Sequence, residues 1–166
     1  SECSFDVIVT DNEAPLLTVT STPITLWPPN HSYETIDINQ LFVSLSENCD
    51  NLTINDVYIT SVSSDEVENG SGDGNTVDDI VIASDCSSVD LRKERSGNGN
   101  GRVYTIYMAV MDANGNNSTA SSQVHVPHNK KRTAIDDGMA YQEACNVLTS
   151  SSSQARTLSK KTLNPI

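Results

Sequence analysis

The chain has 166 residues, of which 36% are hydrophobic and 5% aromatic with a single tryptophan, so the expectation is one domain with attached segments and a thin core of Val, Ile, Leu and Ala. Ten Lys and Arg against 22 Asp and Glu give a net charge of -12, which repels a phosphate backbone, argues against nucleic acid as a partner and favours cations. No apolar run approaches the ~20 residues that span a bilayer, and Ser1 is not followed by a basic-then-apolar leader, so the chain is expected to be a mature or excised piece of something longer.

Short β-branched and aromatic runs punctuated by Gly, Asn, Asp and Ser recur throughout and predict an all-β chain. In order, strands are expected at 5–10, 16–20, 24–27, 34–38, 41–45 and 52–62. Between the third and fourth, Trp27-Pro28-Pro29-Asn30-His31 ends a strand, with Trp27 at an edge, an X-Pro bond that is a candidate for cis, and His31 capping the loop. An insertion rich in Asp, Glu, Gly and Asn follows at 63–78, then strands at 79–83 and 89–93. The glycine-rich 97–101 reads as a hairpin loop, because neither a helix nor a Lys follows it as a phosphate cradle requires.

Strand 102–111 is apolar on both faces and is expected at the centre of its sheet. It turns at 112–116 into 118–126, which alternates Ala120, Ser122, Val124 and Val126 against Thr119, Ser121, Gln123 and His125. The H-x-x-H spacing of His125 and His128 puts the two rings on opposite faces of a strand, which argues for surface residues rather than a shared metal. The fold expected is an immunoglobulin-like two-sheet sandwich over 16–128, with an acidic loop insertion. Residues 1–15, with the strand at 5–10, precede it, and 129–166 are an irregular C-terminal tail.

Residues 1–128 hold four bases against 19 acids, whereas 129–166 holds six bases against three, which marks the tail as a separate segment. Cys3, Cys49, Cys86 and Cys145 form no C-x-x-C pair and argue for disulfides in an oxidising compartment rather than for zinc. Of the three pairings, Cys49 with Cys86 is preferred, since both lie inside the compact region; Cys3 is assigned a partner absent from the chain.

Calcium takes six to eight hard oxygen ligands, and the insertion offers them between flexible glycines. Glu66, Asp73, Asn75 and Asp78 are the leading ligands, with Asp79 and Glu94 in reserve. The spacing is not that of an EF-hand, because Val77 and Asp78 stand where an oxygen ligand and a glycine belong. A second candidate site is Asp11-Asn12-Glu13-Ala14-Pro15, where Asp11 and Glu13 lie at the entrance to the sandwich. Arg92 and Arg95 flank Glu94 and are expected in local ion pairs that anchor strands. No G-x-S-x-G elbow and no Cys–His dyad is present, so an enzyme is not expected.

Taken together, Leu26-Trp27-Pro28-Pro29-Asn30-His31, Glu47-Asn48-Cys49-Asp50, Leu91-Arg92-Lys93-Glu94-Arg95-Ser96-Gly97, Gly101-Arg102-Val103-Tyr104-Thr105-Ile106 and Asp112-Ala113-Asn114-Gly115-Asn116 resemble a bacterial immunoglobulin-like repeat of large secreted and cell-surface proteins. The preceding stretch from Cys3 to Pro15 resembles the last strand and exit linker of a hyalin repeat (HYR) module, and its acidic residues are similar to the calcium-stiffened linkers of cadherin modules. The tail resembles the low-complexity stretch before a C-terminal sorting domain in substrates of type IX secretion. The resemblance implies a non-catalytic, calcium-stabilised structural or adhesive module, secreted or on the cell surface. Its partners would be neighbouring modules of the same polypeptide, the secretion machinery through the tail, and a surface glycan or protein. The alternative is a carbohydrate- or protein-recognition domain appended to an exported enzyme, with the loop insertion as its contact surface.

Overall fold

The computed structural model describes residues 10–72 and 74–146. The strand expected at 5–10 therefore lies almost wholly outside the described residues, as do Asp73, Cys3 and the tail beyond 146. The elements are β1 (Leu16–Val19), β2 (Ile24–Thr25), β3 (Tyr33–Asp37), α1 (Ile38–Leu41), β4 (Phe42–Ser46), a 3-10 turn at Ile54–Asp56, β5 (Tyr58–Ser64), β6 (Ile80–Ile82), β7 (Ser88–Arg92), β8 (Gly101–Met111), β9 (Asn117–Pro127) and β10 (Tyr141–Ala144). The chain is all-β and sandwich-like, as its sequence predicts: a five-stranded sheet ordered β10-β5-β8-β9-β2, a three-stranded sheet β3-β7-β6 and a two-stranded ribbon β1-β4.

The β8–β9 hairpin is the backbone of the molecule, in register from Gly101↔Pro127 to Met111↔Asn117. Period-two alternation sends Tyr104, Ile106, Met108 and Val110 inward, all fully buried, against Ile36, Leu41, Val89 and Leu91 of the opposite layer. Each such aliphatic side chain contributes about 1.5–3 kcal/mol by leaving water. At the far end Asp112 closes the turn: its Oδ1 accepts the Asn114 and Asn116 amides at 2.9 and 2.8 Å, and Gly115 takes φ 90. These bonds hold the Asp112 carboxyl below its ordinary value against the opposing effect of desolvation.

Four differences from the sequence expectation stand out. The strands expected at 34–38 and 41–45 are separated by one helical turn, α1, because the Asp37 side chain caps the Asn39 amide at 2.8 Å. The run 52–62 begins with a 3-10 turn inside a capping box of Thr53 and Asp56, so β5 starts only at Tyr58. His125 is not a surface residue; it is 6% exposed. Burial also holds its imidazole below the ordinary value, against the opposing charge of Asp136. Last, the tail does not begin at 129, since residues Tyr141–Ala144 pair antiparallel with Ser61–Ser64 of β5 and extend the large sheet.

That strand also decides the cysteines. The Cys145 amide donates to Thr60 O at 2.9 Å, and Cys86 O accepts the Ile59 amide at 2.8 Å, so both residues flank the start of β5. They form the disulfide, with Cα atoms 5.9 Å apart, and Cys49 is free and exposed. The Cys49–Cys86 pairing is thereby corrected: Cys49 lies in the turn after β4, and β10 brings Cys145 to Cys86 instead.

Candidate functional site: buried charge under the acidic loop

The inward parity of β8 that buries Tyr104 and Ile106 also buries Arg102, two residues before Tyr104. A guanidinium taken out of water needs acceptors on every donor edge. Arg102 Nη1 donates to Asp79 Oδ2 at 2.5 Å and to Tyr104 Oη at 3.1 Å, Nε to Glu66 Oε2 at 3.2 Å, and Nη2 to Val67 O at 3.3 Å. Asp79 and Glu94 are likewise fully buried. Arg92, the last residue of β7, reaches Asp79 Oδ1 through Nε at 3.1 Å and Val77 O through Nη2 at 2.6 Å. Its guanidinium stacks 4.3 Å from the Tyr33 ring, whose hydroxyl donates to Asp78 O at 2.6 Å.

Glu94 completes the cluster. Its Oε2 lies 3.0 Å from His31 Nδ1 and accepts from the Thr76 hydroxyl, while Oε1 is buried, has no hydrogen-bond partner and lies 3.9 Å from Arg102 Nη1. Desolvation raises the Asp79 carboxyl, an effect the Arg102 guanidinium opposes and the neighbouring Glu94 reinforces. Burial raises the Tyr104 phenol in the same way. Asp65, at the root of the insertion, accepts the Val103 amide at 2.7 Å and is pushed up to about 6 by desolvation.

The arginines therefore stand where the sequence reading places calcium. Glu66 is engaged by Arg102 Nε and by the Ser96 amide at 2.7 Å, and Asp79 by both arginines. Asn75 and Asp78 are exposed, on left-handed backbone at φ 60 and φ 61. The expected Arg92 contact to Glu94 exists at 3.9 Å, but Arg92 bonds more closely to Asp79. Arg102 is the residue the sequence reading missed. Its signal was available: a long cation on the inward parity of a strand that otherwise reads Tyr104, Ile106, Met108 on that side.

The second candidate set, Asp11 and Glu13, lies at the other end of β8, about 30 Å away at ~3.3 Å per residue. Asp11 O accepts from Asn116 Nδ2 at 3.4 Å, and Glu13 Oε2 accepts from Asn48 Nδ2 at 2.6 Å. Asp50 Oδ2 accepts the Ala113 amide at 2.9 Å, which ties the turn after β4 to the β8–β9 turn. Two carboxylate oxygens at this end, Asp11 Oδ2 and Glu47 Oε2, are buried with no hydrogen-bond partner. Desolvation, reinforced by Asp11, Glu47 and Asp50, raises the Cys49 thiol beside them. Among the described residues no three His, Cys, Asp or Glu side chains converge as a formed metal cage, and no helix is long and apolar enough to cross a membrane. No family model matches this chain, and no curated protein or solved structure is significantly similar to it.

Proposed function

We propose that this chain is a non-catalytic, calcium-stabilised structural or adhesive module of a secreted or cell-surface bacterial protein, an immunoglobulin-like repeat entered from a preceding HYR-like module and exported as a secretion-system substrate. The observation that carries the calcium part is the pair of buried, partnerless oxygens Asp11 Oδ2 and Glu47 Oε2 at the pole where the chain enters the sandwich. A buried carboxylate oxygen without a donor is costly, and a bound divalent cation removes that cost. Glu13 lies within the same segment and is a further ligand, whereas Glu66 and Asp79 of the insertion already face arginines. The Cys86–Cys145 bridge supports an oxidising, extracellular setting. The mechanism is mechanical: the ion stiffens the joint, the buried charge cluster holds the opposite pole, and the disulfide ties Cys145, next to β10, to Cys86 beside the start of β5.

The test is calcium titration by calorimetry on the full chain with disulfides intact, together with thermal melts with and without chelator. Saturable binding is expected, worth about 2.7 kcal/mol of stability at a hundredfold excess over Kd. Asp11→Asn and Glu47→Gln abolish the shift, and Asp78→Asn leaves it. Absence of binding in the parent, or equal shifts in all variants, overturns the proposal.

A further inference from the structure

The part of the large sheet's outer face around Tyr107 differs in chemistry from the rest of this acidic chain, the nearest row toward the other end carrying the Asp136 carboxylate on Gln123. Register across β5, β8 and β9 aligns Ser61, Tyr107 and Ser121 in one row, and Ser63, Thr105 and Gln123 in the next. Strand β10 adds Gln142 beside Ser63. Around Tyr107 these strands form a shallow groove of about 480 Å³, lined by the hydroxyl residues Thr60, Ser61, Thr119 and Ser121, by Gln142, and by Met108 and Ala120, with no charged side chain. Tyr107 as a residue is 36% exposed. Thr60 donates to Tyr107 O at 3.2 Å, but among the described residues the hydroxyls of Ser61, Tyr107, Thr119 and Ser121 and the amide of Gln142 make no side-chain hydrogen bond within the protein.

We infer that this groove is a binding site for a neutral glycan. An anionic or cationic ligand requires fixed charge in the groove, and none is present there although the chain carries a net charge of -12. A protein partner of ordinary affinity is held by a fully buried apolar core, whereas here one exposed ring stands among hydroxyls and an amide, with Ala120 beside it and Met108 fully buried. An uncharged sugar matches both features. Its C–H face stacks on the apolar body of Tyr107, and its hydroxyls meet unpartnered donors and acceptors spaced at the ~4.8 Å interval of neighbouring strands. A volume of about 480 Å³ is within the range of small-ligand clefts and holds a short run of sugar units. The groove also differs from the acidic insertion, which the sequence reading makes the contact surface.

The experiment is native affinity electrophoresis of the full chain in gels containing glucomannan, laminarin, arabinoxylan, galactomannan or soluble starch, with alginate as the acidic comparator. Retardation by at least one neutral polymer is expected, unchanged by chelator or by added salt. Tyr107→Ala is expected to weaken it about tenfold or more, with Tyr107→Phe retaining most of it. The thermal midpoint of each variant separates loss of the site from loss of the fold. No retardation by any neutral polymer, retardation by alginate alone, or full retention in a folded Tyr107→Ala overturns the inference. Because chelator enters only as a control here, the calcium joint and the glycan groove fail separately.

Discussion

Arg102 Nη1 lies 2.5 Å from Asp79 Oδ2, and both side chains are entirely withdrawn from water. The pair joins the start of the central strand to Asp79, the residue that follows the acidic insertion, and Glu66 and Val67 O attach the beginning of that insertion to the same guanidinium. A single buried cation thus holds both ends of the loop.

Removing that cation leaves Asp79 to Arg92 alone and Glu66 to the Ser96 amide alone in a low-dielectric site. Arg102→Met is therefore expected to destabilise the fold by about 3–5 kcal/mol, read as a lower denaturant midpoint. Limited proteolysis should then cut first within 66–78, and the double variant with Asp79→Asn should recover part of the loss.

The disulfide closes a segment with a sequence separation of 59, for which loop-closure entropy gives about 4 kcal/mol. Cys145→Ser is expected to lose an amount of that order and to release β10 from β5, seen as fast amide exchange at 141–144. A non-reducing peptide map should link Cys86 to Cys145 and leave Cys49 open to alkylation.

Burial pushes the Asp65 carboxyl up to about 6, above its ordinary value, with desolvation as the main cause. An acid raised on folding contributes stability that is fully present below its unfolded value and is lost as pH rises through the folded one. Stability from this group should thus increase as pH falls from above 6 toward 4. Asp65→Asn should flatten that part of a pH series of denaturation midpoints. A parent profile with no rise across this window would contradict the assignment.

Gly101 has φ +109, and a Cβ there would lie 2.8 Å from Ala134 Cβ and 3.0 Å from Val126 O. Gly101→Ala combines left-handed strain with overpacking and is expected to cost about 2 kcal/mol or more. Gly115→Ala, at φ +90 with nothing within 4 Å, should cost less, because only the backbone term applies.

The sequence by itself determined the all-β class and the central hairpin: 102–111 and 118–126 differ from β8 and β9 by only one residue at an end, because alternation and a turn-forming Asp-Ala-Asn-Gly-Asn are local signals. It also located the acidic insertion and a cis bond among the Trp27–Pro29 prolines, found at Trp27-Pro28. What only the tertiary structure decided depends on distant partners. Tyr-Gln-Glu-Ala carries no strand pattern alone, and β10 exists because β5 offers an open edge; the same pairing chooses Cys145 over Cys49 for Cys86. Likewise, a run of carboxylates reads as a cation site until folding shows which cation is near. Arg102, 23 residues beyond Asp79, reaches it only because β8 crosses beneath the insertion, and a buried charge is settled by whatever counter-charge the fold brings within hydrogen-bond distance.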